Sequence, residues 1–256
     1  MKVLSSFLAG GPPPLPVTYY FFRMPDLQAL IFDMDGVLVD NTPVQARAFQ
    51  LFFRDQGVQA DATQLLRRLN GAPASEILKE AFGDKKQTAD ELEKFAGQRE
   101  FLYRTLYWDD RRPLPGLAEF LEAARAAGLK IGLGTGSGQE TIGYILDELN
   151  LRRFFDVVIT KDDVDKGKPH ADTYAITAKK LGVPPENCVV FEDALLGEQA
   201  AYRAHMHCVA VASTLPGSDF QAPLLVIRDF TELTPTRLHD VFGAAGAVPK
   251  PDKSRA

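Results

Sequence analysis

Cysteine and tryptophan are scarce in this chain: two of the first, Cys188 and Cys208, and one of the second, Trp108, among 256 residues. Two cysteines do not make the disulfide framework of a small secreted scaffold. Both fall in or beside apolar, strand-like runs, where cysteine serves as a small apolar residue. A reduced, cytoplasmic protein is therefore expected. No apolar run approaches the roughly 18–20 residues of a membrane span, so membrane insertion is not expected. An excess of positive charge is missing too: 29 Lys and Arg stand against 34 Asp and Glu, a net charge of −5. That balance offers no general attraction for nucleic acid or anionic lipid, and a small polar ligand is the expected partner. What is present is an ordinary globular mixture, 45% hydrophobic and 25% charged, enough for one large domain or two modest ones.

Residues 1–26 carry a short apolar stretch that breaks into a proline run without a cleavage-site pattern. They read as an N-terminal extension without fixed structure, with Met24 a second candidate start, rather than as a secretion signal. Residues 27–32 (LQALIF) form a short apolar strand that runs into the acidic turn DMDGVLVD. From residue 42 to 112 the spacing turns helical, as in Phe49, Phe52 and Phe53 or Leu65, Leu66 and Leu69, which predicts an inserted helical domain with those phenylalanines and Trp108 in its core. Beyond Pro113, predicted helices at 117–127, 140–149, 171–181 and 197–204 alternate with predicted strands at 129–133, 157–159, 188–191 and 208–211. Such alternation means a parallel sheet with helices on both faces. Residues 243–256, rich in proline and mixed charge, read as a disordered tail.

In open sheets of this kind, ligands lie beyond the carboxyl ends of the strands. The first strand ends in Asp33 and Asp35 and the second in Thr135 and Ser137; the loop after the third carries Lys168, and the fourth ends in Glu192 and Asp193. Any one of these is commonly a turn or a helix cap. Four polar strand ends in this order are hard to explain as caps. Gly134, Gly136 and Gly138 are spaced like part of a dinucleotide fingerprint, but Gln139 stands where the last glycine belongs and no acidic residue ends the next strand. His205 and His207 alternate before a strand, yet without further ligands they read as packing rather than zinc-binding residues.

At these positions the sequence resembles the haloacid dehalogenase superfamily of aspartyl phosphotransferases, in the branch of β-phosphoglucomutase and phosphoglycolate-type phosphatases. The resemblance runs over residues 27–230 and rests on DMDGV at 33–37, Thr135, Lys168 in GKPHAD, and Glu192-Asp193 in VFEDALLG. It implies an α/β fold: a Rossmann-like parallel-sheet core (27–41 and 113–242) with an inserted all-helical cap (42–112). It also implies an Mg²⁺-dependent phosphatase of a small phosphorylated metabolite acting through an aspartyl phosphate. Asp33 would be the nucleophile and Asp35 the general acid and base. Thr135 and the amides of Gly136 and Ser137 would bind the phosphoryl oxygens, and Lys168 would hold the nucleophile and the phosphoryl group. The metal ligands would be Asp33, the Asp35 carbonyl and Asp193, with Glu192 as a further or supporting ligand. Asn70 and Gly71 in the cap would meet the substrate.

An unperturbed carboxyl pKa near 4 leaves Asp33 ionised at pH 7 without help. Asp35, as an acid, needs the opposite state, which burial under a closed cap would supply. Two departures bear on the substrate. Gln45 stands where mutases of this branch have His, and Asn70 and Ala74 occupy the cap stretch where cations hold a second phosphate. Arg99 and Arg104, on a predicted cap helix, read as solvated. A phosphatase acting as a monomer is thus expected; the alternatives are a sugar phosphate mutase and an inorganic pyrophosphatase.

Overall fold

The computed structural model describes residues 26–85 and 87–252. The expected N-terminal extension, apart from Asp26, lies outside the described residues. Among those described, no helix is long and apolar enough to cross a membrane. The core is a six-stranded parallel sheet of order β3-β2-β1-β4-β5-β6, formed by β1 (Ala29–Phe32), β2 (Lys130–Gly134), β3 (Val157–Ile159), β4 (Cys188–Glu192), β5 (His207–Val211) and β6 (Leu225–Ile227). β1 is central and wholly buried, as its unbroken apolar run requires of a strand covered on both faces. Its period-two alternation divides the interior. Leu30 and Phe32 belong to one apolar cluster, and Ala29 and Ile31 to the cluster on the other face. Phe32 stacks on Phe191 of β4 with ring centroids 4.6 Å apart, and Phe120 and Phe230 close over the pair.

The helices α5 (Leu117–Ala126), α6 (Gln139–Leu146), α7 (Asp172–Leu181) and α8 (Leu195–Arg203) occupy the intervals the alternation predicted, with ends shifted by one to three residues. β6 and α9 (Pro235–Gly243) were not anticipated. β6 is a three-residue edge strand with one exposed member, too short to show a period. α9 begins at a Thr234 cap, whose hydroxyl accepts the Arg237 amide at 3.2 Å. The tail, expected to be without structure from Gly243, is tied down through Asp252. Gln221 donates to the Lys250 carbonyl at 2.8 Å and accepts the Asp252 amide at 3.0 Å, and Val248 packs against the interior. Residues 253–256 lie outside the described residues.

The helical insertion comprises α1 (Thr42–Asp55), α2 (Ala62–Leu69), α3 (Ala74–Phe82) and α4 (Ala89–Leu106). It has its own apolar cluster, in which Phe49, Phe52 and Phe53 meet Leu66, Leu78 and Ala96. Trp108 departs from expectation. It follows α4, is 57% exposed, and lies flat against solvent between Arg111, whose guanidinium stands 4.5 Å from the ring centroid, and Tyr144. Its amphipathic ring covers the seam between insertion and core rather than filling the cap.

Candidate active site

The sheet brings the polar strand ends together as expected. Asp33 follows β1 directly, and its amide donates to the Phe191 carbonyl at 3.0 Å, which fixes it beside the end of β4. Lys168, 2% exposed, donates to Asp33 Oδ1 at 2.7 Å and to Glu192 Oε1 at 2.5 Å. Glu192 also accepts from the Tyr174 hydroxyl and, through Oε2, from the amides of Asp193 and Ala194 at 3.1 and 3.2 Å. Asp193 Oδ2 accepts from Asn70 at 3.0 Å and from the Thr214 hydroxyl, while Oδ1 is buried without a partner. Gly36 makes this closeness possible: at φ +74° it turns the chain, and a Cβ there would stand 2.0 Å from Asp193 Oδ2.

Asp33, Glu192 and Asp193 each offer an oxygen within 4.8 Å of the others, so three buried carboxylates share one ammonium. Their electrostatics differ from the sequence expectation. Burial pushes the Asp33 pKa up to about 7; Lys168 opposes the rise, while the charges of Glu192 and Asp35 add to it. Ionisation of Asp33 at neutral pH therefore does need help. Burial also lifts Asp193 well above the usual carboxylate range, with Glu192 and Asp33 adding to the effect. Burial alone would lower Lys168, but Asp33 and Glu192 outweigh it and hold the ammonium charged. An all-oxygen donor set, surplus negative charge and the orphaned Asp193 Oδ1 suit a hard divalent cation.

Asp35, two residues from Asp33, faces the other way. Its Oδ1 accepts from Asn41 at 2.5 Å and Gln45 at 3.3 Å, and its Oδ2 from the Ser137 hydroxyl at 2.8 Å. Burial raises its pKa, Glu100 adds to the rise, and Asn41, Ser137 and Arg99 restrain it. With its carboxylate so engaged, only the main-chain carbonyl is left as a cation ligand. Thr135 is anchored by its amide to the Ile159 carbonyl at 3.0 Å, and its hydroxyl oxygen accepts the Ser137 amide at 3.1 Å. That amide is thus already engaged, whereas the Thr135 hydroxyl proton is available to an anion. Asn70 and Gly71 sit over the site from the cap: Asn70 on Asp193, and Gly71 with its Cβ position 3.6 Å from the Lys168 side chain.

Arg99 contradicts its reading as solvated. It is 4% exposed, donates to Gln45 and, at 2.7 Å, to Glu100, and lies 4.2 Å from the Phe49 ring centroid. The signal was available. Ala96, Arg99 and Tyr103 share the buried face of α4 at helical spacing, so an arginine on that stripe had to point inward. Arg104 is partly exposed and pairs with Glu140 at 2.8 Å. Asn41, Tyr174 and Thr214 were missed; Tyr174 and Thr214 are marked only by neighbours in space that are distant in sequence, whereas Asn41 stands six residues from Asp35 and the turn between them could have pointed to it. His207 is buried with its ring against Phe242, and neither it nor His205 joins a metal-binding group among the described residues.

Residues 27–205 match the haloacid dehalogenase-like hydrolases. The chain belongs to that family. Among its relatives, a fructose-1-phosphate phosphatase of Escherichia coli (strain K12) is 35% identical over 182 residues, covering 71% of this chain and 95% of that protein. A phosphorylated carbohydrates phosphatase of Thermotoga maritima is 34% identical over 181 residues, covering 70% and 82%. Among solved structures, β-phosphoglucomutase from Clostridium difficile superposes with a TM-score of 0.77 at 26% identity, covering 85% of this chain and 98% of that one. This haloacid dehalogenase-like hydrolase is a phosphoric monoester hydrolase with the Rossmann-like core and cap of its family.

Proposed function

We propose that the protein is an Mg²⁺-dependent phosphatase of small phosphorylated carbohydrates, acting as a cytoplasmic monomer through an aspartyl phosphate on Asp33. The observation that carries the reading is the unlike company of the two aspartates. Asp33 is salt-bridged to Lys168 within a carboxylate triad, while Asp35 is held by the neutral donors Asn41, Gln45 and Ser137. One is equipped to be an anion and the other to carry a proton.

The Asp33 carboxylate attacks phosphorus, forming the acyl phosphate as the bond to the ester oxygen breaks. That oxygen takes the proton of Asp35. A water then enters, gives its proton back to Asp35 and attacks phosphorus, and the bond to Asp33 breaks to release phosphate. Lys168 and the Thr135 hydroxyl bind phosphoryl oxygens, together with the Gly136 amide. The Asp33 carboxylate, the Asp35 carbonyl and Asp193 would hold Mg²⁺, with Glu192 in support. The ion supplies positive charge that offsets the meeting of two anions and stabilises the transferring group. A cation held there would also favour the ionised form of Asp33 against the effect of its burial.

A panel of sugar phosphates, phosphoglycolate, nucleotides and pyrophosphate, assayed for phosphate release with and without Mg²⁺, tests this reading. Release from sugar monophosphates only with Mg²⁺ supports it; release from pyrophosphate alone contradicts it. The fold of a phosphoglucomutase and a buried cap arginine favour a second reading, in which phosphate moves within a sugar. With β-glucose 1-phosphate and a glucose 1,6-bisphosphate primer, phosphate is expected to appear faster than glucose 6-phosphate, and the reverse order would favour the mutase.

A further inference from the structure

The chamber over Asp33 and Asp35 has a volume of about 50 Å³, room for only about three to five waters. A phosphoryl group exhausts that space, so the rest of any sugar phosphate must lie elsewhere. Beside the chamber runs a groove of about 370 Å³ between cap and core, within the roughly 300–1,000 Å³ of small-molecule sites. The two share Ala74, Glu100, Gly136 and Ser137. Ser137 is the residue whose hydroxyl binds Asp35, so the groove begins where Asp35 would hand its proton to the leaving oxygen. A larger cavity on the other flank shares only Thr42 and Leu66 with the chamber, and there the Thr42 and Thr214 hydroxyls close across cap and core at 2.7 Å.

Two features of the groove bear on what fits it. Gly97 lies inside the 18-residue helix α4, where glycine weakens a helix. It has neither a positive φ nor any atom within 4 Å of its Cβ position. Neither backbone nor packing asks for glycine there; an open groove does. The second feature is charge. Glu93, Glu100, Glu140 and Asp162 line the groove against Arg104 and Lys161, and both cations are engaged, Lys161 with Glu93 and Arg104 with Glu140, each at 2.8 Å. Glu100, at the mouth of the chamber, is held by Arg99 at 2.7 Å and by the Thr141 hydroxyl at 2.7 Å. Its carboxylate can accept from a further hydroxyl, but it repels an anion.

We propose that this groove is the leaving-group subsite: it takes the neutral, polyhydroxylated part of a sugar monophosphate, with Gly97 setting the room and Glu100 selecting against a second phosphate. The proposal rests on the phosphatase reading above. The full chain with Mg²⁺ is assayed for phosphate release from acetyl phosphate, fructose 1-phosphate and fructose 1,6-bisphosphate. Gly97→Leu and Gly97→Phe should lower the kcat/KM ratio of fructose 1-phosphate to acetyl phosphate, at least fivefold for leucine and more for phenylalanine. Leucine is the better helix former, so its melting temperature should not fall. Glu100→Gln should raise the ratio of bisphosphate to monophosphate at least threefold. If the first ratio stays within twofold of the wild type, the groove does not hold the leaving group; if the second does, Glu100 does not select on charge. Either result overturns the proposal while the phosphatase reading stands. Absence of phosphate release from all three compounds overturns both.

Discussion

The half of the site built from strand ends and the half built with the cap handle charge in opposite ways. On the core side, one ammonium, Lys168, serves Asp33 and Glu192 while Asp193 keeps a buried oxygen unpaired; this is a net-negative cluster that needs a cation to be comfortable. On the cap side, Asp35 is surrounded by amides and a hydroxyl, and the nearby cation Arg99 is spent on Gln45 and Glu100. Two aspartates separated by one methionine thus keep different company: burial raises both carboxyls, opposed at Asp33 by the Lys168 charge and at Asp35 first by the hydrogen bonds of Asn41 and Ser137. Lys168 and the carboxylate triad belong to the core, and Gln45, Arg99 and Glu100 bring the cap to Asp35.

The largest effect that could break this division is at Asp33. Asp33→Asn should cost at least about 10⁴-fold in kcat, since no other group is placed to carry the phosphoryl group. Its melting temperature should hold or rise, because the change relieves a crowded carboxylate cluster. Thermal melts and phosphate release on the same sample check both. Asp35→Asn comes next, with about 10²–10⁴-fold lost: the amide keeps the main-chain carbonyl but carries no proton to the leaving group.

Arg99→Met sharpens the comparison on the cap side. It frees Gln45 and removes a positive charge that restrains the Asp35 pKa. A loss of about 10- to 100-fold in kcat is expected from misplacement of the Asp35 donors. Because the acid must be protonated to act, the alkaline limb of kcat/KM should move to higher pH. A limb moving to lower pH, or none, would place Arg99 outside the proton-handling half.

The smallest effect is on stability. Asp33 titrates in the folded protein at about 7, above its ordinary value, and burial raises Asp35 and Asp193 as well. Between the unfolded and folded values the native state binds more protons than the unfolded one, so stability falls as pH rises through that window. In chelator, the contribution of Asp33 should fall as pH rises from about 4 to about 7, with a shallower fall for Asp33→Asn. Mg²⁺ should raise the melting temperature more at the alkaline end than at the acid end. Equal stabilisation at both ends would contradict a carboxylate cluster awaiting a cation.

The same division explains what the sequence made legible. The core motifs could be read because most of the functional side chains sit at the carboxyl end of a strand whose apolar run is plain, as with LQALIF before Asp33 or CVVF before Glu192, and Lys168 follows in the loop after β3. The cap's contribution was harder. Arg99 acts through Gln45, 54 positions away, and Tyr103 accepts from the Asn41 amide that meets Asp35, 62 positions away; neither pairing follows from local spacing. Tyr174 and Thr214 reach the carboxylates from α7 and from the loop after β5 for the same reason. Trp108 was misplaced because a large aromatic at a helix end serves a seam as well as a core. β6 and α9 escaped notice because three residues carry no period and a nine-residue helix with two buried positions shows only a weak stripe.

The central claim is that phosphate passes through a covalent bond to Asp33 and that Asp35 governs its release. The most direct measurement is a rapid acid quench of Asp35→Asn after mixing with fructose 1-phosphate and Mg²⁺, followed by mass analysis of the peptide that contains residues 33–37. The expected result is one phosphoryl group on Asp33, accumulating toward one per chain, absent when Mg²⁺ is chelated and absent from Asp33→Asn. Release of phosphate with that peptide unmodified at every time point would contradict the covalent route, and a phosphoryl group found on Asp35 would reverse the roles of the two aspartates.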